Sequence, residues 1–134
     1  SPMAEAILRS KKIDGMVVRS AGIYAQDGWP ISQHAQILID EANMPHTPVS
    51  RAVSQEDLEW ADLILTMTEA HKEALLHVNP AVESKTFTLK GFVQAGKDGD
   101  VYDPFGGDLE TYRHTFTELS RIIDQLEQKL AEGK

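Results

Sequence analysis

Leu63, Ile64 and Leu65 stand together between Asp62 and Thr66, and this short aliphatic run constrains the fold more than any other stretch of the chain. A strand with one wet face alternates apolar and polar residues. A run without alternation needs cover on both faces, as in a parallel sheet. Parallel neighbours are joined by crossovers, usually helices, and the flanking residues supply them. Upstream, Ser54 with Asp57 three residues on is a capping-box variant that opens a short helix. Downstream, Thr68 caps a helix running through Val78 and closed by Asn79 and Pro80.

The same grammar extends in both directions. Ser1 and Pro2 read as the N-cap and first position of a helix with Met3, Ala4, Ala6, Ile7 and Leu8 inside it, Arg9, Lys11 and Lys12 at its far end, and a close around Asp14 and Gly15. Met16 to Val18 reads as a short buried strand entering Arg19-Ser20-Ala21-Gly22. Ser32 caps a second helix whose apolar face is Ala35, Ile37, Leu38, Ile39 and Ala42, ending by Asn43 and Pro45. Lys85 to Leu89 alternates, which predicts a less buried strand nearer an edge, and Gly91 to Asp100 reads as a connector. Tyr112, Phe116, Leu119, Ile122, Ile123, Leu126 and Leu130 form one stripe of a long final helix. Strands alternating with helices at this spacing predict an α/β fold, a mostly parallel sheet with helices on both faces. With no repeat, low-complexity tract or linker, residues 1–134 read as a single domain.

Composition narrows the function. A chain of 134 residues, 41% hydrophobic, has enough apolar material for one core. A net charge of -8 argues against nucleic acid or an anionic membrane as the main partner. No apolar run is long enough to cross a bilayer, and the first residues do not resemble a signal peptide, so the expected location is cytoplasmic. Cysteine is absent from residues 1–134, so they hold no disulfide, thiolate metal site or thiol nucleophile. His34, His71, His77 and His114 fall on predicted helices and read as surface residues. His46, in a loop, is the one histidine kept as a candidate site residue. No spacing suggests a metal, and no cofactor is called for.

The chemistry-bearing stretch is Val101-Tyr102-Asp103-Pro104-Phe105-Gly106-Gly107. Pro104 fixes its own φ and pushes Asp103 toward extended geometry, so the backbone sets the direction of the carboxylate. Gly106 and Gly107 permit a sharp turn into the last helix. Asp103 is therefore a candidate acid/base group beside an aromatic wall. A turn in which Asp103 bonds local amides is the competing interpretation. Tyr24 and Trp29, in the loop from Ile23 to Pro30, serve either as packing or as a wall for a flat ligand.

Five blocks taken together, S-P-M-A-E-A-I at 1–7, R-S-A-G-I-Y at 19–24, A-D-L-I-L-T-M-T with H-K across 61–72, F-T-L at 87–89 and D-P-F-G-G at 103–107, resemble the low-molecular-weight protein tyrosine phosphatases. Within that family the chain looks like the bacterial members, which include protein arginine phosphatases. The resemblance implies a three-layer sandwich with a four-stranded parallel sheet. Its first strand leads into a phosphate loop of pattern C-x5-R-S. Ser1 matches that Ser, so the strand, the phosphate-gripping Arg and the nucleophilic Cys are expected upstream of the sequence, in the parent protein.

The resemblance also implies roles. Loop amides and the first-turn amides after Ser1 form an anion cradle that would lower the Cys pKa. Asp103 is the general acid, then the general base on the hydrolytic water. At the usual Asp pKa of about 3.9 it would be protonated about once in a thousand molecules at pH 7, so Phe105 and the phosphate are expected to raise it. Ser20 supports the phosphate loop, and Tyr24 and Phe105 flank the substrate side chain. The partners implied are a phosphorylated protein substrate and inorganic phosphate or a similar anion. Phe-Gly after Asp-Pro resembles the arginine phosphatases more than the tyrosine-specific members; both substrates stay open. A non-catalytic phospho-binding relative is the alternative, and an arsenate reductase ranks lower because its redox relay needs further cysteines. The missing strand would bury three or four aliphatic side chains at about 1.5 to 3 kcal/mol each. That rivals a domain's net stability of about 5 to 15 kcal/mol, so residues 1–134 alone are expected to fold poorly and to be inactive.

Overall fold

The computed structural model describes residues 2–22, 32–44, 52–94, 100–101 and 107–132. The elements in chain order are α1 (Pro2–Ser10), α2 (Gln33–Glu41), α3 (Gln55–Trp60), β1 (Ile64–Thr66), α4 (Glu69–Val78), a 3-10 turn (Pro80–Lys85), β2 (Thr86–Thr88), α5 (Leu89–Val93) and α6 (Leu109–Glu132). The aliphatic run becomes β1, which pairs in parallel with β2 in the register Ile64 with Thr86, Leu65 with Phe87 and Thr66 with Thr88. Successive side chains on a strand leave opposite faces. Leu65 accordingly packs on one hydrophobic cluster and Ile64 on another.

The larger cluster joins Met3, Ala6 and Ile7 of α1, Ala35, Leu38 and Ile39 of α2, and Tyr112, Leu119, Ile122, Ile123 and Leu126 of α6 to Leu89 and Val101. The smaller one, on the opposite face, consists of Leu58, Leu75 and Val82. Helices cover both faces of a parallel sheet, which is the α/β arrangement expected. The caps also form as expected. Ser54 and Asp57 complete a capping box, and the Thr68 hydroxyl accepts from His71 N.

Five details differ from the expectations, the first being that α1 closes at Ser10, ahead of the stop expected around Asp14 and Gly15. Met16 to Val18 joins no ladder among the described residues, although burial alternates from half-buried Met16, Val18 and Ser20 to exposed Val17 and Arg19. A strand is defined by a partner for its backbone, and the Val18 carbonyl is instead bonded by the Arg9 guanidinium, with Nη2 to O 3.0 Å. The alternating strand is more buried than its two threonines suggested: Thr86 is 1% and Thr88 6% exposed. Both hydroxyls are satisfied locally, Thr86 donating to the Val82 carbonyl at 2.7 Å and Thr88 accepting from Gly91 N at 3.0 Å, which removes the cost of burying them. The predicted connector at Gly91 is partly helical, since α5 runs on to Val93. Ser32 stands at the N-cap position of α2, yet its side chain makes no capping bond.

Candidate active site

α1 begins at Pro2 and is seated in the larger cluster by Met3, Ala6 and Ile7, so its amino end is fixed by packing rather than by its short length. Glu5, on its first turn, is 5% exposed and faces Arg9 one turn on, with a carboxylate-to-guanidinium distance of 3.6 Å. Arg9 also reaches the Val18 carbonyl, so one cation compensates a buried acid and ties α1 to the segment that carries Ser20.

That segment is held at two further points. The Arg19 guanidinium lies 3.9 Å above the centre of the Trp60 ring and 3.5 Å from the Asp57 carboxylate, the same acid that closes the α3 capping box. Gly22 forms a parallel bridge to Ala52, and its carbonyl accepts from Val53 N at 3.1 Å. Ser20 lies between these anchors and is half-buried.

The approach to the Asp103 loop is equally constrained. Val101 is 1% exposed, belongs to the larger cluster with Met3 of α1, and its N–H donates to the Met67 carbonyl at 2.8 Å. Asp100 Oδ1 accepts from Glu69 N at 2.8 Å, at the start of α4. On the far side of the loop, Asp108 Oδ1 accepts from Thr111 N at 2.9 Å and from the Thr111 hydroxyl at 2.8 Å, which caps α6. Those bonds, the backbone one foremost, hold its carboxyl below the usual Asp value. Tyr112 is buried and meets His34 of α2 edge-on, with ring centroids 5.2 Å apart. His34 is therefore a packed residue rather than a plain surface one.

Of the residues singled out from the sequence, Ser20 is described. Ser1, Tyr24, Asp103 and Phe105 lie outside the described residues, as do Trp29 and His46. The structure thus supplies the frame around the candidate chemistry: the amino end of α1 and the approach to the acid loop are built on one core. Sequence reading missed the Glu5–Arg9–Val18 link, the Arg19–Trp60 stack and the Asp100 bond. Apart from the i,i+4 pair Glu5–Arg9, which helical spacing could have offered, their partners lie 9 to 41 residues away, beyond the reach of periodicity. Among the described residues, no group of His, Cys, Asp or Glu could hold a metal ion.

The two-faced parallel sheet, with the amino end of α1 and Val101 built into one core, defines an α/β scaffold. The family model for low molecular weight phosphotyrosine protein phosphatase matches residues 1–134, and the chain belongs to that family. It is 42% identical over 130 residues to the protein-arginine-phosphatase of Geobacillus stearothermophilus, covering 97% of this chain and 87% of that protein. It is 38% identical over 126 residues to the low molecular weight protein-tyrosine-phosphatase PtpB of Staphylococcus haemolyticus, covering 94% and 88%. Among solved structures, the YwlE arginine phosphatase from Geobacillus stearothermophilus superposes with a TM-score of 0.95 at 41% identity, over 99% of this chain and 86% of that one.

Proposed function

We propose that this chain is the body of a protein phosphatase that hydrolyses phosphoarginine or phosphotyrosine on protein substrates through a cysteinyl-phosphate intermediate. The observation that carries the reading is the family match over residues 1–134, with relatives bearing both names at about 40% identity. On this reading, a cysteine thiolate, which residues 1–134 do not supply, attacks phosphorus while the P–N or P–O bond breaks. The Asp103 carboxyl gives its proton to the departing nitrogen or oxygen. Water then attacks phosphorus, Asp103 takes up its proton, the S–P bond breaks, and phosphate leaves. Ser1 and Ser20 hold the phosphate loop, and Tyr24 and Phe105 flank the substrate side chain. The amino end of α1 supplies the positive field that favours the anion. The working compartment is the cytoplasm; among the described residues, no helix is long and apolar enough to cross a membrane.

The test uses the full-length polypeptide. It should release phosphate from a phosphoarginine or a phosphotyrosine peptide, and Asp103→Ala should slow that release by about 10²- to 10⁴-fold. A full-length protein that binds phosphate and hydrolyses neither peptide is instead a phospho-binding relative. Unchanged hydrolysis by Asp103→Ala removes the general-acid role.

A further inference from the structure

We propose that Asp100 is a positioning residue for the general acid, an inference that rests on the phosphatase reading above. Its carboxylate crosses 31 residues of sequence to accept from Glu69 N at 2.8 Å, the first amide of α4. That helix has its own cap, because the Thr68 hydroxyl already accepts from His71 N at 3.1 Å. The Asp100 contact is exposed, so water would satisfy the Glu69 amide if the carboxylate were removed. The bond is therefore dispensable for the helix. What it determines is where the loop begins.

The next residue repeats the attachment, with Val101 N on the Met67 carbonyl at 2.8 Å and its side chain in the core. Asp100 and Val101 thus pin the chain to the junction of β1 and α4 by two backbone-directed bonds and one buried side chain. Asp103 follows Val101 by two residues, a span of at most about 7 Å. Misplacing a reacting group by about 1 Å can cost on the order of 10²-fold, so where the chain leaves Val101 matters to a group two residues on.

A misplaced general acid penalises substrates according to how much their leaving group needs a proton. Phenolate leaves poorly without a proton, whereas the far less basic 4-nitrophenolate leaves well. For the full-length protein, kcat/KM of Asp100→Ala should fall about tenfold or more on phenyl phosphate and by a clearly smaller factor on 4-nitrophenyl phosphate, at an unchanged thermal midpoint. Asp100→Asn keeps an acceptor oxygen and should recover most of the loss. Glu69→Pro removes the donor without touching Asp100. Proline is favoured at the first helical position, and Thr68 already has the extended backbone (φ -131°, ψ 159°) that a following proline requires. This variant should reproduce the uneven loss and keeps the test decisive should Asp100→Ala fold poorly. An equal loss on both substrates, or Glu69→Pro behaving as wild type, overturns the proposal. A wild-type protein that releases phosphate from neither aryl phosphate nor from a phosphoarginine peptide overturns the phosphatase reading instead, so the two failures are distinguishable.

Discussion

Gly91 is a position where an added methyl should be harmful or helpful according to its neighbour. A Cβ at 91 would lie 2.6 Å from Thr88 Oγ1, the oxygen that caps α5 by accepting from Gly91 N. Thr88 is β-branched and buried, so relief requires a change of rotamer that carries the hydroxyl away from its donor. The lost cap costs about 0.5 to 2 kcal/mol, and a buried hydroxyl without a partner about 1 to 3 kcal/mol. Alanine over glycine in a helix returns about 0.5 to 1 kcal/mol. Gly91→Ala should therefore destabilise the protein by about 1 to 3 kcal/mol. In a Thr88→Ala background the obstructing oxygen and the cap are already gone, so the same substitution should stabilise by about 0.4 to 1 kcal/mol. Urea unfolding of the full-length wild type, both single variants and the double variant measures the cycle, with the Thr88→Ala penalty common to both arms. Equal effects of Gly91→Ala in the two backgrounds would refute the cap as the source of the conflict.

Ile122 is fully buried in the α6 stripe, so Ile122→Ala should cost about 2 to 5 kcal/mol and Ile122→Val about 0.5 to 1.5 kcal/mol by denaturant midpoint; equal costs would place the side chain elsewhere. Asp108 has a lowered pKa, so its charged form contributes stability that is present above the ordinary value of 3.8 and lost as pH falls through the folded value. The stability gap between wild type and Asp108→Asn, which keeps the capping oxygen, should hold at neutral pH and close below pH 3.8; a gap persisting in stronger acid contradicts this. Arg19→Leu and Trp60→Leu should show a coupling of about 0.5 to 1 kcal/mol in a double-variant cycle, and strict additivity would mean that the stack contributes nothing.

Much of the frame was legible because its causes are local. Leu63 to Leu65 announced a doubly covered strand, Ser54, Asp57 and Thr68 announced two helix starts, and the α6 stripe follows from spacing alone. These signals lie within one or two turns of the residue they govern. The departures have nonlocal causes. The burial of Thr86 and Thr88 depends on hydroxyl partners that exist only once the Val82 carbonyl and the Gly91 amide are in place. That Met16 to Val18 joins no ladder among the described residues depends on which groups approach its backbone, the Arg9 guanidinium at the Val18 carbonyl among them. His34 looked like a surface residue because nothing on α2 indicates that Tyr112 of α6 will meet its ring. The family was legible through motifs, Asp-Pro-Phe-Gly-Gly among them, and the supports around the candidate site were not.

Those supports share a design. Apolar packing decides which elements touch: Met3, Val101 and Tyr112 belong to one cluster although about a hundred residues separate the first from the others. Packing of this kind is non-directional and tolerates small slides. The site proposed above, with an anion near a helix end and a proton donor at hydrogen-bond reach, would not tolerate them, because that reach is confined to a few tenths of an ångström. The described frame meets that demand with directional tethers laid over the core: Arg9 to the Val18 carbonyl, Arg19 to Asp57 and the Trp60 face, and Asp100 to the Glu69 amide. Each spends a charged side chain on a partially exposed contact, where ion pairs and hydrogen bonds contribute little to stability. Their value lies in register, since each fixes the height of one site-bearing segment against a neighbouring element. Polar tethers of this sort should accordingly affect turnover more than thermal midpoint, whereas the aliphatic residues beneath them should do the reverse.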